Sequence, residues 1–199
     1  MRAEYENVLD DHLGKIHFTY VNTWDELLPA HWHEHLEIIY VLGGEITASI
    51  NDVSYELEKG DIFLVNSNDI HYTYTHEDAR YYLLQIPPVH LERISAKWKG
   101  LKFQELIRSK SADACVQGEQ LENVQGKGLV EMRENRKSTN RADDLYDQLR
   151  DVFRKIAGFY EEKKEGYHLL VLSSVYRLLY ILYTEGIRAE ETAEGDYGT

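Results

Sequence analysis

The chain has 199 residues and a formal net charge of −13, because 35 acidic residues outnumber 22 lysines and arginines. Phosphate binding needs clustered cations, so this composition argues against direct binding to nucleic acid. The single cysteine, Cys115, excludes an intrachain disulfide and fits a reducing cytoplasm. The first twenty residues lack a signal-peptide pattern, and the most apolar run, 166–183, is too short and polar to indicate a membrane span. We therefore expect a cytoplasmic protein without a membrane partner.

Residues 1–15 form an N-terminal arm in this interpretation, and residues 16–88 read as a series of short strands separated by turns. Asn51-Asp52 is a two-residue hairpin signal, and Lys59-Gly60 marks a further turn. The predicted strands cover residues 16–20, 31–42, 45–50, 53–57, 62–65, 70–75 and 80–86. Many short strands at regular spacing predict a sandwich or a barrel.

The pattern becomes helical after Pro88, where a short helix is predicted over 89–98. A polar stretch at 109–128 reads as a loop within the connection 89–142, and amphipathic periodicity predicts a helix over 143–164. The next helix, predicted over 167–185, is apolar nearly all round and must be covered on more than one side. We expect part of it, including Leu179, to form a subunit interface, the alternative being full burial within one chain. Residues 187–199 read as a flexible tail.

A cluster of metal-ligating residue types lies among the predicted strands. His31, His33, His35 and Glu37 alternate along the predicted strand 31–42, so their side chains are expected on one face. His71 comes from a strand two hairpins later. Imidazole and carboxylate groups are ligands for divalent Zn, Ni, Fe or Mn.

Three interpretations of this cluster stay open: a bound metal, a metal-free pocket that hydrogen-bonds a small polar ligand, and a structural polar network. Thr73 shares the facing of His71 and is expected to line the pocket, whereas His35 is expected at the rim, towards solvent. The strand 80–86 has two faces, one with Gln85 and the other with Tyr82, and the sequence leaves open which one points inwards. No phosphate-binding glycine loop or nucleophile elbow is present, and no catalytic residue is assigned.

The spacing of these residues resembles the motifs of the cupin family. His31-x-His33, three residues, Glu37, six residues and then a glycine resembles the first cupin motif. A glycine followed after ten residues by His71 resembles the second motif. The resemblance implies a mainly β fold with α, a jelly-roll-like double-stranded β-barrel. It also implies metal-ligand positions at His31, His33, Glu37 and His71.

The chain departs from the cupin pattern at several motif positions. Asp25 stands where a glycine usually opens the first motif, and Asn66 and Asn68 replace a proline and a glycine of the second. Thr75 replaces the final asparagine of the second motif. These departures point away from an enzyme-type site.

A narrower resemblance covers essentially the whole chain. The sequences PAHWH at 29–33, EIIYVLGGEI at 37–46 and KGDIFLVNSNDIH at 59–71 resemble the N-terminal ligand-binding domain of AraC-type bacterial transcription regulators. In that family the barrel is followed by an antiparallel helical pair used for dimerisation, here expected within 143–186. We expect the family's C-terminal DNA-binding domain to be absent, because nothing basic or helix-turn-helix-like follows residue 185.

The resemblance implies a homodimeric sensor domain that is not an enzyme and contacts DNA only through that further domain. Its effector is expected to be a sugar or similar small polar molecule, bound by the four motif residues and Thr73. Binding would reorder residues 1–14 or shift the helical pair. The alternative is a stand-alone metal-dependent cupin enzyme, a dioxygenase or a sugar isomerase.

Overall fold

The computed structural model describes residues 3–8, 13, 15–76, 78–94, 101–108 and 136–186, the last range with side chains from 144 onwards. The strands are β1 (Glu4–Tyr5), β2 (His17–Thr23), β3 (Glu26–Trp32), β4 (Leu36–Gly43), β5 (Ile46–Ile50), β6 (Val53–Leu57), β7 (Ile62–Val65), β8 (His71–Thr75), β9 (Ala79–Ile86) and β10 (Leu106–Ile107). The helices are α1 (Pro88–Ile94), α2 (Arg136–Glu162) and α3 (Tyr167–Glu185).

The strands form two five-stranded sheets. The first sheet has the order β1-β3-β8-β5-β6 and the second the order β10-β7-β4-β9-β2. The pairings among these strands are antiparallel except that between β1 and β3, which is parallel. Apolar side chains from both sheets, such as Ile39, Ala48 and Phe63, pack into one core between them. The expected mainly β barrel is confirmed.

The helical pair covers the outer face of the second sheet. Ile38 and Tyr40 of β4 point outwards and pack in one core with side chains of α2 and α3, such as Phe153 and Leu178. The centre of the second sheet is therefore buried on both faces, which explains why every residue of β7 is buried.

The predicted strand 31–42 is wrong, because the chain forms two strands there. β3 ends at Trp32, β4 begins at Leu36, and the chain bends between them as it passes from the first sheet to the second. Pro29 lacks an amide hydrogen for the ladder, but β3 has a register irregularity between Leu28 and His31 that accommodates it. The four residues His31, His33, His35 and Glu37 thus do not share one strand.

Several local predictions agree closely with the structure. Asn51 and Asp52 have φ values of 46° and 69°, as a two-residue hairpin turn with a type I′ twist requires. The strands β6 and β7 have the predicted bounds, whereas β2 extends to Thr23, beyond the predicted end at residue 20.

The helices follow the predicted order with shifted ends. α3 has the predicted bounds, and α2 begins at Arg136 instead of residue 143. The end of the predicted helix 89–98, the predicted loop 109–128, Cys115 and the predicted tail 187–199 lie outside the described residues. Among the described helices, none is both long and apolar enough to cross a membrane.

The burial of α3 differs from the expectation that Leu179 contributes to a subunit interface. Leu179 is 0% exposed, so it belongs to the core of its own chain and is not available to a partner. By contrast, Leu169 is 64% exposed and Tyr180 is 55% exposed, with Tyr176 between them on the same side of the helix. The part of the chain that the structure describes therefore leaves an apolar stripe of α3 uncovered.

Candidate functional site

Both sheets contribute side chains to the predicted cluster. His31 and His71 are register partners on β3 and β8 of the first sheet, and Glu37 lies opposite Gln85 on β4 and β9 of the second. His33 lies in the bend that joins the two sheets. Four of the predicted residues therefore converge, although they do so across the barrel rather than along one strand.

The three histidines form a compact group. The ring centroids of His31 and His71 lie 4.1 Å apart, and those of His33 and His71 lie 4.9 Å apart. One ring nitrogen from each lies within 4.8 Å of the others, and all three residues are buried. His35, also in the bend, is half-buried, and its ring centroid lies 5.8 Å from that of His33, outside the group.

Backbone hydrogen bonds fix the tautomers of two of these histidines. The Nδ1 of His31 lies 2.7 Å from the carbonyl oxygen of Pro29, and the Nδ1 of His71 lies 3.0 Å from that of Asp69. A carbonyl oxygen only accepts, so Nδ1 of each ring is the donor and carries the proton. When these imidazoles are neutral, their Nε2 atoms keep a free lone pair. Both Nε2 atoms are buried and have no hydrogen-bond partner among the described residues.

Glu37 is held at the base of the cluster by two hydrogen bonds. Its Oε2 accepts from the Nε2 of His33 at 3.0 Å and from the Nε2 of Gln85 at 2.8 Å. Its Oε1 lies 3.8 Å from the Nε2 of His71. The carboxylate is therefore positioned by one histidine and one amide while it faces a second histidine.

The ionisation of the cluster follows from these contacts. Burial opposes ionisation of Glu37, but the hydrogen bond from His33, the charge of neighbouring imidazoles and the Gln85 amide lower its pKa to about 2. Burial would lower the pKa of His33, but Glu37 and, more weakly, Glu6 raise it. Burial lowers the pKa of His71, which favours the neutral ring. Glu37 and His33 thus each favour the charged form of the other, whereas burial favours the neutral ring of His71.

Glu6 also belongs to the site, although sequence reasoning missed it. β1 runs parallel to β3, and the amide of Glu6 donates to the carbonyl oxygen of Trp32 at 3.0 Å. This places the Oε2 of Glu6 3.6 Å from the Nε2 of His31 and 3.8 Å from that of His33. A two-residue strand has no detectable periodicity, so no sequence signal could have found this contact.

A small cavity of about 160 Å³ adjoins the cluster. Its lining includes Glu6, His31, Glu37, Thr73 and Gln85, and so contains three of the predicted ligand-binding residues. His33 and His71 contact these lining residues but do not themselves line the cavity. Tyr81 and Leu83 complete the wall together with Gln85, so this is the inward face of β9 that the sequence left open.

The chemistry of the donors fits a divalent metal ion. Three buried imidazoles can each offer a nitrogen, two of them are unpartnered at Nε2, and a carboxylate stands beside them. Backbone bonds at the opposite ring nitrogen are the usual means of orienting metal-binding histidines. The donor set is compatible with several transition metals and does not select one of them.

Comparison with known proteins gives a family match. The family model described as the AraC-like ligand binding domain matches residues 14–179. A search of curated proteins finds no match.

The solved structures that are similar to part of this chain include the following three. An RmlC-like cupin from Shewanella frigidimarina is 20% identical, with 36% of this chain and 66% of that chain covered and a TM-score of 0.35. KdgF from Halomonas sp. is 23% identical, with 36% of this chain and 68% of that chain covered and a TM-score of 0.34. The Bacillus subtilis oxalate decarboxylase, which has Mn(II) centres, is 20% identical to this chain. The match covers 36% of this chain and 21% of that chain, with a TM-score of 0.34.

The chain spans less than two thirds of the Shewanella cupin and about a fifth of the oxalate decarboxylase. Similarities at this level carry no information about ligand or activity. The family model, in contrast, covers both the barrel and most of the helical pair, and the described elements have the corresponding order. The chain belongs to the AraC-like ligand binding domain family, with a cupin barrel followed by a pair of helices.

Proposed function

We propose that this chain is the effector-sensing and dimerisation domain of an AraC-type transcription regulator. The observation that best supports the proposal is the polar cavity of about 160 Å³, lined by residues of both sheets and of the N-terminal arm. A cavity of roughly 150 Å³ admits a molecule about the size of benzene, so the effector is expected to be small. The polar groups of the lining match a sugar or a similar small polar molecule.

The lining offers the groups that recognise hydroxyls. The Nε2 of His31 can accept a hydrogen bond, Thr73 can donate or accept, and the Gln85 amide has a second N–H besides the one bound to Glu37. Tyr81 supplies an aromatic wall on which a sugar ring can pack. Recognition by fixed groups on two sheets would make binding depend on the geometry of the effector.

The arm provides a means of response. β1 is paired with the barrel over only Glu4 and Tyr5, and the next residue, Glu6, lines the cavity. An effector that contacts or displaces Glu6 would shift the equilibrium between the docked arm and the released arm. The size of the shift is set by the difference between the effector's affinities for these two states. The change in the position of the arm would then alter how a DNA-binding region linked to this domain is placed.

A metal ion is compatible with this role. His31, His33, His71 and Glu37 would hold it, with their nitrogens and carboxylate oxygen as ligands. When bound, a divalent metal supplies a Lewis acid to which a hydroxyl or carboxylate oxygen can coordinate. The histidines would have to be neutral, so occupancy should fall as the pH falls below about 6.

The alternative function is a metal-dependent cupin enzyme, and the compact histidine group is the observation that favours it. We nevertheless propose a binding role without catalysis. The Oε2 of Glu37 is occupied by His33 and Gln85, which makes this oxygen a poor general base. We also propose a cytoplasmic homodimer, in which the uncovered stripe of α3 meets a second copy.

The test combines metal analysis with a thermal-shift screen of pentoses and hexoses on the chain purified without added metal. One sugar should raise the Tm by about 5–10 °C at a concentration of about 100 Kd. The variant His31→Ala should lose this shift, because His31 lines the cavity, whereas His168→Ala, at an exposed histidine on α3, should keep it.

Two results would contradict the sensor proposal. Stoichiometric metal together with turnover of a sugar or an oxygen-dependent substrate would establish the enzyme instead. A sugar-induced shift that survives in His31→Ala would place the effector outside this cavity.

A further inference from the structure

A second cavity lies between the barrel and α2, on the outer face of the second sheet. It has a volume of about 540 Å³, within the range of about 300–1,000 Å³ usual for small-molecule sites. It shares no lining residue with the histidine-site cavity. We call it the helix groove, with Lys59, Tyr40 and Tyr82 on the barrel side and Arg154 and Gly158 among the residues on the α2 side.

Three cations line the helix groove, in a chain with many more acids than bases. Lys59 and Arg154 have no ion-pair partner among the described residues. Arg150 is paired at the groove's edge, with Asp147 at 2.8 Å and with Asp151 at 3.3 Å. Lys59 and Arg154 therefore carry positive charge that no described acidic side chain pairs with directly.

Glu161 and Tyr146, which also line the groove, form hydrogen bonds to groups other than Lys59 and Arg154. Glu161 accepts a hydrogen bond from the hydroxyl of Tyr82 at 2.9 Å rather than pairing with an arginine. Tyr146 donates to the carbonyl oxygen of Gly60 at 2.9 Å, and an added Cβ at Gly60 would lie 3.2 Å from that hydroxyl. Tyr40, which is buried against Phe153, and the half-buried Tyr82 also line the groove.

Gly158 lies beside open space in the groove. It lies inside α2, where glycine is less favourable than alanine, and a Cβ added there would meet nothing within 4 Å. Close packing therefore does not explain this glycine. Empty space beside a helix interior, next to unpaired cations, is what a bound molecule would require.

We propose that the helix groove is a second ligand site, which binds a small organic phosphate monoester such as a sugar phosphate. A guanidinium group can bind phosphate oxygens in a bidentate manner, and a lysine adds a point charge. The doubly charged phosphate matches Lys59 and Arg154 better than a singly charged carboxylate does. The tyrosines would pack against the organic part. The site is separate from the proposed sugar site and does not depend on it.

The experiment is a calorimetric titration of the full chain with glucose 6-phosphate, with glucose and inorganic phosphate as comparison ligands. Lys59→Gln and Arg154→Gln should each weaken binding of glucose 6-phosphate by about tenfold or more, since each removes a charged hydrogen bond. Lys155→Gln is the matched control, because this neighbouring lysine is exposed and does not line the groove. It should change the affinity by less than about twofold.

Two further variants locate the site. Gly158→Leu places a side chain in the groove and should weaken binding, and His71→Ala should leave binding unchanged because His71 lies in the barrel. The proposal is overturned if glucose 6-phosphate does not bind, or if Lys155→Gln weakens binding as much as Arg154→Gln. It is also overturned if inorganic phosphate binds equally well, or if binding is lost in His71→Ala.

Discussion

The side chain of Glu37 shows how single residues set the properties of the site. It is buried, and a carboxylate in such a place is stable only when hydrogen bonds and opposite charge replace water. His33 and Gln85 provide the hydrogen bonds at 3.0 and 2.8 Å, and His71 faces the other oxygen. Glu37 therefore stays ionised and can orient the histidines around it.

This arrangement predicts a pH dependence of stability. Because the pKa of Glu37 falls to about 2 on folding, its ionised form stabilises the protein above its unfolded value of 4.5, and this contribution is lost as the pH falls from about 4.5 towards 2. Glu37→Gln should lower the free energy of unfolding at neutral pH by about 2 kcal/mol. It should also flatten the acid limb, which is the fall of the free energy of unfolding as the pH decreases from about 4.5 to 2. Urea denaturation across this pH range measures both effects.

Glu34 offers the matched control for Glu37. It is exposed in the bend between β3 and β4 and does not line the cavity. Glu34→Gln makes the same change of charge without touching the cluster, so it should leave the acid limb nearly unchanged. Equal flattening in both variants would contradict the role given to Glu37.

The arm strand β1 is the element on which the proposed response depends. Its pairing with β3 is short, and the ring of Tyr5 contacts that of Trp32 with centroids 4.9 Å apart. Short edge strands open at low cost in free energy, because few interactions hold them. The contact between Tyr5 and Trp32 should therefore set how often Glu6 leaves the site.

Tyr5→Ala should loosen the arm without unfolding the barrel. An aromatic pair contributes about 0.5–1.5 kcal/mol, so the amide of Glu6, bound to the carbonyl oxygen of Trp32, should exchange its hydrogen about 2–10 times faster. Hydrogen exchange followed by NMR measures this rate. Tyr20→Ala is the control, since Tyr20 is a comparably exposed tyrosine on the second sheet. If Glu6 exchanges equally fast in both variants, Tyr5 does not hold the arm.

Helix α3 shows how burial divides one apolar element between two roles. Val175 and Leu178 face the core, whereas Leu169 and Tyr180 remain exposed. Large apolar groups in a row on one helix face are typical of an interface. The interface proposed for the homodimer therefore uses the exposed stripe and not Leu179.

The second sheet links the barrel interior with the helices and so joins the two parts of the molecule. Along β4, Glu37 and Ile39 point into the barrel, while Ile38 and Tyr40 pack against the helical pair. A shift of this strand would displace side chains both in the barrel interior and against the helical pair, because close-packed interiors transmit displacement. The structure therefore offers a physical connection between an effector in the cavity and the proposed dimer interface.

The dimer prediction separates the two faces of α3. Tyr180→Glu should give a folded monomer, because it places a charge in the proposed interface, whereas Leu179→Ala should lower the free energy of unfolding by about 2–5 kcal/mol through the cavity it creates. Sedimentation equilibrium and urea denaturation measure the two effects. Val53→Glu, at an exposed apolar residue of the barrel, is the control for Tyr180→Glu. A Tyr180→Glu protein with an unchanged association state would place the interface elsewhere.

The local elements and the members of the histidine cluster could be predicted from the sequence. The turn at Asn51 and Asp52 and the bounds of α3 depend on interactions between near neighbours, which the sequence pattern records. His31 and His71 could be identified because the cupin spacing is itself a sequence feature.

The way in which these elements meet became evident in the folded molecule alone. Glu6 reaches the site through a parallel pairing of two residues, and Gln85 does so because one face of β9 turns inwards. The bend after Trp32 and the burial of Leu179 likewise depend on which sheet or helix lies opposite. These contacts join residues far apart in the chain. They produce no periodic pattern in the local sequence from which they could be predicted.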